Sequence, residues 1–405
     1  MSSGPDPSTG SGSPRAESRG DTVGSTGDVF HAVFHDGQHV MTVCNACRYC
    51  EQYCPVFPAM EERLVFGKAD LAYLANLCHN CGECLYACQY APPHEFGINV
   101  PKTLSEIRLQ TYEDYCWPRF LGVAFRRQGL LTAMSLVVGL VAIMLLSSGV
   151  DPPPSDFYSV VSYDVMVSLF GGVSLFVIVA LAIGVHRFRR QIGLSRAESR
   201  EPEPGGASLA LRDVLTLRHL HGSGVDCASG EEQRSPWRRW FHHCTFYGFM
   251  LCLASTTSAA VYHHGFGWIA PHAYTSVPVV LGTAGGLGLV VGPAGLLALR
   301  RRRDPALGGR AQDGLDESFI ALLLLTSVTG LALLVFRDFT FMSTLLITHL
   351  ATVLALFLTL PYGKFVHGFY RTAALLKFRA QSPEPRASRC KLPAWAPQAS
   401  GTGRG

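Results

Sequence analysis

The chain has 405 residues, enough for two or three domains, and is 48% hydrophobic but only 16% charged, with a positive mean hydropathy. So little charge would not keep a large globule in solution, and it predicts membrane spans. The net charge of +4 is too small to support nucleic-acid binding, and the arginines sit in short clusters beside apolar runs, where membrane topology accounts for them.

Residues 1–27 are rich in Ser, Gly, Pro and Thr, the composition of a disordered tail. They contain no apolar signal core and no Arg-Arg pair, so the domain that follows is expected to stay in the cytoplasm. That domain, 28–118, carries two C-x2-C-x2-C-x3-C runs: Cys44, Cys47, Cys50 and Cys54, then Cys78, Cys81, Cys84 and Cys88. Three close thiolates grip three corners of one cubane iron–sulfur cluster, and the fourth reaches across to the other. The expected sets are therefore Cys44, Cys47, Cys50 and Cys88 for one 4Fe-4S cluster, and Cys78, Cys81, Cys84 and Cys54 for the second. Structural zinc would leave the third and fourth cysteine of each run without a role, and disulfides would require a secreted chain. Pro55 follows the first run, whereas Gln89 follows the second, with Pro92 and Pro93 later. Between the runs, Leu71, Leu74 and Leu77 predict a helix leading into Cys78, and 98–112 predicts another. The 23-residue insert between Cys54 and Cys78 is similar to the all-helical ferredoxin arrangement of succinate-dehydrogenase-like and heterodisulfide-reductase-like subunits. The other five cysteines (Cys116, Cys227, Cys244, Cys252 and Cys390) lack ligand spacing and read as free thiols.

Six apolar runs of spanning length follow, at about 127–148, 164–186, 241–262, 275–299, 316–336 and 342–366. Arg119, Arg126 and Arg127 precede the first. Arg187, Arg189 and Arg190 follow the second, Arg238 and Arg239 precede the third, and four arginines at 300–303 follow the fourth. Lys364 and Arg371 close the sixth, whereas 149–163 and 263–274 hold no Lys or Arg; Arg337 alone breaks the pattern. The bias places both termini, the cysteine runs and the 187–240 loop in the cytoplasm. Within that loop, 209–221 reads either as an interfacial or docking helix or as a solvated loop with one short helix. The fold class is mainly α: an N-terminal dicluster ferredoxin domain, a six-helix membrane domain over 119–375, and a flexible tail over 376–405.

Histidines mark both ends of two spans. His242, His243, His263 and His264 lie on the third run, and His349 and His367 on the sixth. Intramembrane ionisable groups are costly and usually functional, and haem iron held between helices needs one neutral imidazole from each. A lone boundary histidine is more often an interfacial polar residue, but four at matched depths on antiparallel spans favour ligation. His242 or His243 is level with His367, and His263 or His264 lies nearer His349. At about 100° per residue, His349 and His367 share a face of a continuous helix. The candidate ligands are His243, His264, His349 and His367, for one or two b-type haems, with His242 open as an alternative to His243. No CxxCH occurs, so covalent haem is not expected. His79 and His94 read as surface residues beside the clusters. Pro361 and Gly363 loosen the chain before His367. Lys364 reads as a propionate partner or a snorkelling anchor. The glycines of the fourth run, Gly288-x3-Gly292 among them, read as close helix packing rather than clearance for haem.

The tandem cysteine runs followed by six spans closing on Pro361-Tyr-Gly-Lys-Phe-Val-His-Gly368 resemble the tricarballylate/citrate-utilisation protein B family over residues 40–375. His349 and His367 also resemble the haem-bearing helix of nitrate-reductase gamma-type subunits. The resemblance implies a bacterial-type inner-membrane electron-transfer protein. Such a protein reoxidises the flavin of a separate FAD-dependent tricarballylate or citrate-type dehydrogenase and passes the electrons to a membrane quinone. The chain has no dinucleotide fingerprint, P-loop or triad-like grouping of its own, so it reads as a subunit of an oxidoreductase system. A heterodisulfide- or sulfite-reductase-type module and a redox-sensing membrane protein are the other readings.

Overall fold

The computed structural model describes residues 26–51, 53–147, 157–194, 206–220 and 237–381. Most of the serine-rich tail, the Pro/Glu stretch at 201–205, Cys227, Cys390 and residues 382–405 lie outside them. Among the described residues there are fourteen α-helices, one short 3-10 turn (Pro305–Leu307) and no strand. The cysteine-bearing part holds α1 (Thr26–Cys47), α2 (Val56–Glu61), α3 (Lys68–Leu77), α4 (Glu83–Tyr86) and α5 (Val100–Tyr115). The rest holds α6 (Arg119–Ser147), α7 (Phe157–Val160), α8 (Tyr163–Gln191), α9 (Gly206–Leu215), α10 (Trp237–Phe266), α11 (Val277–Arg301), α12 (Arg310–Val335), α13 (Met342–Thr359) and α14 (Val366–Gln381).

Local chemistry sets the ends of these helices. Asp70 accepts the Gly67 backbone N–H at 3.2 Å and caps α3. The Asn99 side chain accepts the Lys102 N–H at 3.1 Å and caps α5, with Pro101 in its first turn. The predicted helix leading into Cys78 is α3. Leu71, Leu74 and Leu77 are buried among α1, α2 and α5, so α3 is the spine of the domain's core.

Six helices are long and apolar enough to cross a membrane: α8, α10, α11, α13, and the parts of α6 and α12 at 129–146 and 312–335. They match the six predicted runs and make this a multi-pass membrane protein. Arg189 and Arg190 end α8, and Arg300 and Arg301 end α11, where cations also complement the helix dipole. α6 lies against α12 and α13, α8 against α13, and α11 between α10 and α12. The α10–α11 pair packs backbone to backbone. A methyl group on Gly248 would sit 2.9 Å from the Gly285 carbonyl oxygen, and one on Gly285 would sit 2.8 Å from the Cys252 nitrogen. The glycines of the fourth span therefore serve helix approach.

Two features depart from expectation. The sixth span stops at Thr359, before Pro361, and the chain starts a separate helix at Val366. Residues 376–381, expected to open a flexible tail, are the last turns of that helix. α14 is not among the six candidate spans and packs on α3 and α9, so it belongs to the core of the cysteine-bearing domain. Its charged residues are buried because each has a partner. Lys377 bonds the Ile192 carbonyl and lies 4.9 Å from the centre of the Tyr73 ring. Arg379 Nε donates to Asp213 of α9 at 2.8 Å, and its Nη2 donates to the same oxygen.

α9 is thus a clamp on α14 within the chain, which gives the 209–221 segment an internal role. Burial pushes the Asp213 carboxyl up, but the bonds from His219 and Arg379 outweigh it and hold the group below its ordinary value. Replacing Asp213 with Ala leaves a buried guanidinium without its counter-charge, at a cost of about 3–5 kcal/mol. The expected outcome is a lowered thermal midpoint and faster proteolytic cleavage between α8 and α10.

Candidate functional site

Cys44 lies within electrostatic reach of Cys50, Cys88 and Cys47, and Cys84 within reach of Cys54, Cys78, Cys81 and Cys50. The fourth cysteine of each run thus lies near cysteines of the other run. The chain achieves this by reversing sharply after the second cysteine of each run, where Arg48 (φ 55°) and Gly82 (φ 93°) are left-handed. A side chain on Gly82 would also meet Leu307 at 2.9 Å.

The first expected group, Cys44, Cys47, Cys50 and Cys88, lines a cavity of about 190 Å³ whose remaining walls include Val43, Phe57, Tyr90 and Ile98. Burial and the neighbouring thiols push Cys44 up to about 12, and burial with Cys88 and Cys47 does the same for Cys50. Crowded thiols in an apolar shell become stable thiolates only when cations neutralise them. Among the described residues no three donors converge tightly enough to hold a single metal ion. A mononuclear tetrahedral site with bonds of about 2.3 Å would demand that, whereas a polynuclear cluster spreads its sulfurs apart. The donor set and the cavity fit an iron–sulfur cluster.

The second expected group, Cys54, Cys78, Cys81 and Cys84, faces the membrane helices. Cys54 and Cys84 are half-buried, and desolvation pushes both thiols well up. Arg108 of α5 donates to the Ala75 carbonyl at 2.8 Å and the Cys78 carbonyl at 2.7 Å. His79, read from sequence as a surface residue, is buried. Arg371 of α14 donates to its Nε2 at 2.7 Å. Burial, then Arg371 and Arg238, hold its imidazole well below the ordinary value, so it is neutral.

The histidine candidates separate. His367 faces His242, with ring centres 6.0 Å apart and planes at 66°. The Lys364 carbonyl can only accept, so His367 Nδ1 donates to it at 2.5 Å, leaving Nε2 with its lone pair. Burial, then His242 and Lys364, push the His367 imidazole down to about 3. The pair would offer an iron two imidazoles from two different helices.

His243, one residue from His242, bonds the Thr216 backbone and lies 5.7 Å from the Tyr247 ring. His264 bonds the Tyr163 hydroxyl at 2.6 Å, and His263 stacks on the same ring at 3.9 Å. His349 turns to α12, with Nδ1 3.1 Å from Thr329 Oγ1 and its ring filling the space beside Gly330. The same-face relation between His349 and His367 assumed one helix, and the break at 360–365 removes it. Lys364 pairs with Asp316 at 2.8 Å, which replaces both earlier readings of it. Sequence reasoning missed Arg238, Arg371 and the buried state of His79. The available signal was spacing, since Arg238 and Arg371 each lie four residues, about one helical turn, from the facing histidines.

Comparison with known proteins agrees with this architecture. The family model for citrate utilization protein B matches residues 120–388, and that for the citrate utilization protein B Fer4-like domain matches 37–114. The citrate utilization protein B of Escherichia coli is 51% identical over 348 residues, covering 84% of this chain and 90% of that protein. No solved structure matches. Cysteine pairs, spans and chain order therefore converge with these matches, and the chain belongs to the citrate utilization protein B family.

Proposed function

We propose that this protein is a membrane-bound electron conduit of citrate or tricarballylate utilisation. In this reading it takes electrons from the reduced flavin of an FAD-dependent dehydrogenase and delivers them to a membrane quinone. Cys44, Cys47, Cys50 and Cys88 hold one 4Fe-4S cluster, and Cys54, Cys78, Cys81 and Cys84 hold the other. His242 and His367 hold one b-type haem. When bound, these groups supply reversible one-electron storage.

The chain's own residues supply placement. Apolar side chains line the cavity of the first sulfur group, the Lys364 carbonyl fixes the His367 tautomer, and Arg108 pins the Cys78 loop. The observation that carries the reading is that Arg238 and Arg371, each about one helical turn from the facing His242 and His367, bond the loop between Cys78 and Cys81, at the arginine-bearing end of the membrane helices. The charge bias of the loops puts that end in the cytoplasm, where a soluble dehydrogenase can dock. The test is to measure iron, sulfide and haem in the purified membrane protein, then mix it with the reduced dehydrogenase and follow flavin oxidation. The expected result is about eight non-haem iron and one haem per chain, with accelerated flavin oxidation and haem reducible by quinol. Haem that quinol does not reduce would favour the sensor reading instead.

A further inference from the structure

The two sulfur groups sit in different electrostatic surroundings. The Cys44–Cys54 run carries Arg48, which is exposed and bonds the Asn45 carbonyl, and Glu51, so its formal charges cancel. The loop from Cys78 to Cys81, by contrast, is held by four arginines from four parts of the chain. Arg108 bonds the Cys78 carbonyl. Arg238 of α10 donates to the His79 carbonyl at 3.0 Å and the Asn80 carbonyl at 3.2 Å. Arg303, just past α11, donates to the Asn80 carbonyl at 3.4 Å. Arg371 reaches His79 Nε2 at 2.7 Å and lies within electrostatic range of both Cys78 and Cys54.

Glu83, beside Cys81, is an acid acting on this group, and Asp316 and Asp313 offset part of the Arg303 charge, whereas Arg371 and Arg238 act on the thiols themselves. Backbone N–H groups add to the effect. Asn80 donates to Cys78 Sγ at 3.3 Å, and the backbone at Val56 and Glu83 bonds Cys54 and Cys81. Positive charge and N–H···S bonds both favour the extra negative charge of a reduced centre. Two of the four arginines have a second connection. Arg238 is one helical turn before His242, and Arg371 is one turn after His367. The same two side chains therefore link the second sulfur group to the imidazole pair.

We infer that Arg238 and Arg371 are positioning residues that raise the reduction potential of the centre held by Cys54, Cys78, Cys81 and Cys84 above that of the centre held by Cys44, Cys47, Cys50 and Cys88. This rests on the two-cluster reading above. Electrons entering at the first group then move downhill toward the membrane side, one per transfer, with no bond made or broken.

The test is an EPR-monitored redox titration of the full-length protein, wild type against Arg371→Gln, Arg238→Gln and the charge-retaining Arg371→Lys. Cys81→Ser identifies which signal belongs to the second group. Each glutamine variant is expected to lower the reduced-to-oxidised ratio of that signal by about tenfold at fixed potential, which is 59 mV for one electron. The other signal should hold its place, and Arg371→Lys should titrate close to wild type. If both signals stay where they are in both glutamine variants, move together, or if the first group's signal moves instead, the inference is overturned. If Arg371→Gln loses the second signal altogether, Arg238→Gln still decides. A wild-type protein without two cluster signals would instead remove the two-cluster reading.

Discussion

Replacing His367 with alanine removes the haem absorbance bands from the purified protein and leaves both iron–sulfur signals in place. Haem content falls from about one per chain to near zero, because a bis-imidazole site loses half of its iron bonds with either ligand. His242→Ala is expected to do the same, since its ring lies 6.0 Å from that of His367. His243→Ala, His264→Ala and His349→Ala should keep the bands, because these imidazoles are turned to the Thr216 backbone, Tyr163 and Thr329. Optical spectra and pyridine-haemochrome content of the five variants check this directly. Haem loss in His349→Ala with retention in His242→Ala would reverse the assignment. A milder variant tests the support around the ligand. Lys364→Gln serves here, because Asp316 keeps Arg300 as a partner when the lysine charge is removed. It keeps the carbonyl and removes only the charge, and haem should be retained.

The contrast between cysteines and histidines shows which parts of the site are legible in a sequence. Spacing within a C-x2-C-x2-C-x3-C run is a local constraint. The chain must curl within a few residues, and the left-handed Arg48 and Gly82 are how it does so. The proposed grouping of sulfurs therefore draws on spacing more than on the rest of the fold. The histidine register is not local. It depended on a helix running unbroken from His349 to His367, and the chain breaks at 360–365 instead, as Pro361 permits. Adjacent histidines differ by about 100° around a helix, so only the packing of α10 against its neighbours selects His242 over His243.

The role of α14 was hidden for a related reason. Val366, Tyr370, Ala373, Ala374 and Phe378 are buried at helical spacing, a pattern visible in the sequence. But Lys377 and Arg379 sit among them and suggest a solvated tail. Their burial makes sense only once Ile192, Tyr73 and Asp213 are brought alongside by tertiary contacts. Charge paired across more than 160 residues leaves no signal in a local window.

Cys54→Ser and Cys88→Ser provide the sharpest test of how the two sulfur groups are wired. By position in the chain, Cys54 belongs with Cys44, Cys47 and Cys50; in the crossed arrangement proposed here it belongs with Cys78, Cys81 and Cys84, all three of which lie within its electrostatic reach. Cys54→Ser is therefore expected to perturb the same EPR signal as Cys81→Ser, and Cys88→Ser the same signal as Cys47→Ser. With alanine in place of serine no oxygen ligand can substitute, and non-haem iron is expected to fall from about eight to about four per chain. Loss of both clusters in one alanine variant would mean that the second cluster cannot assemble without the first. The serine variants separate that case, because a weakened ligand shifts one signal without emptying the site. If Cys54→Ser instead alters the signal that responds to Cys47→Ser, each run closes on its own cluster. The left-handed turns at Arg48 and Gly82 would then have to be serving something other than the crossing of the two chains.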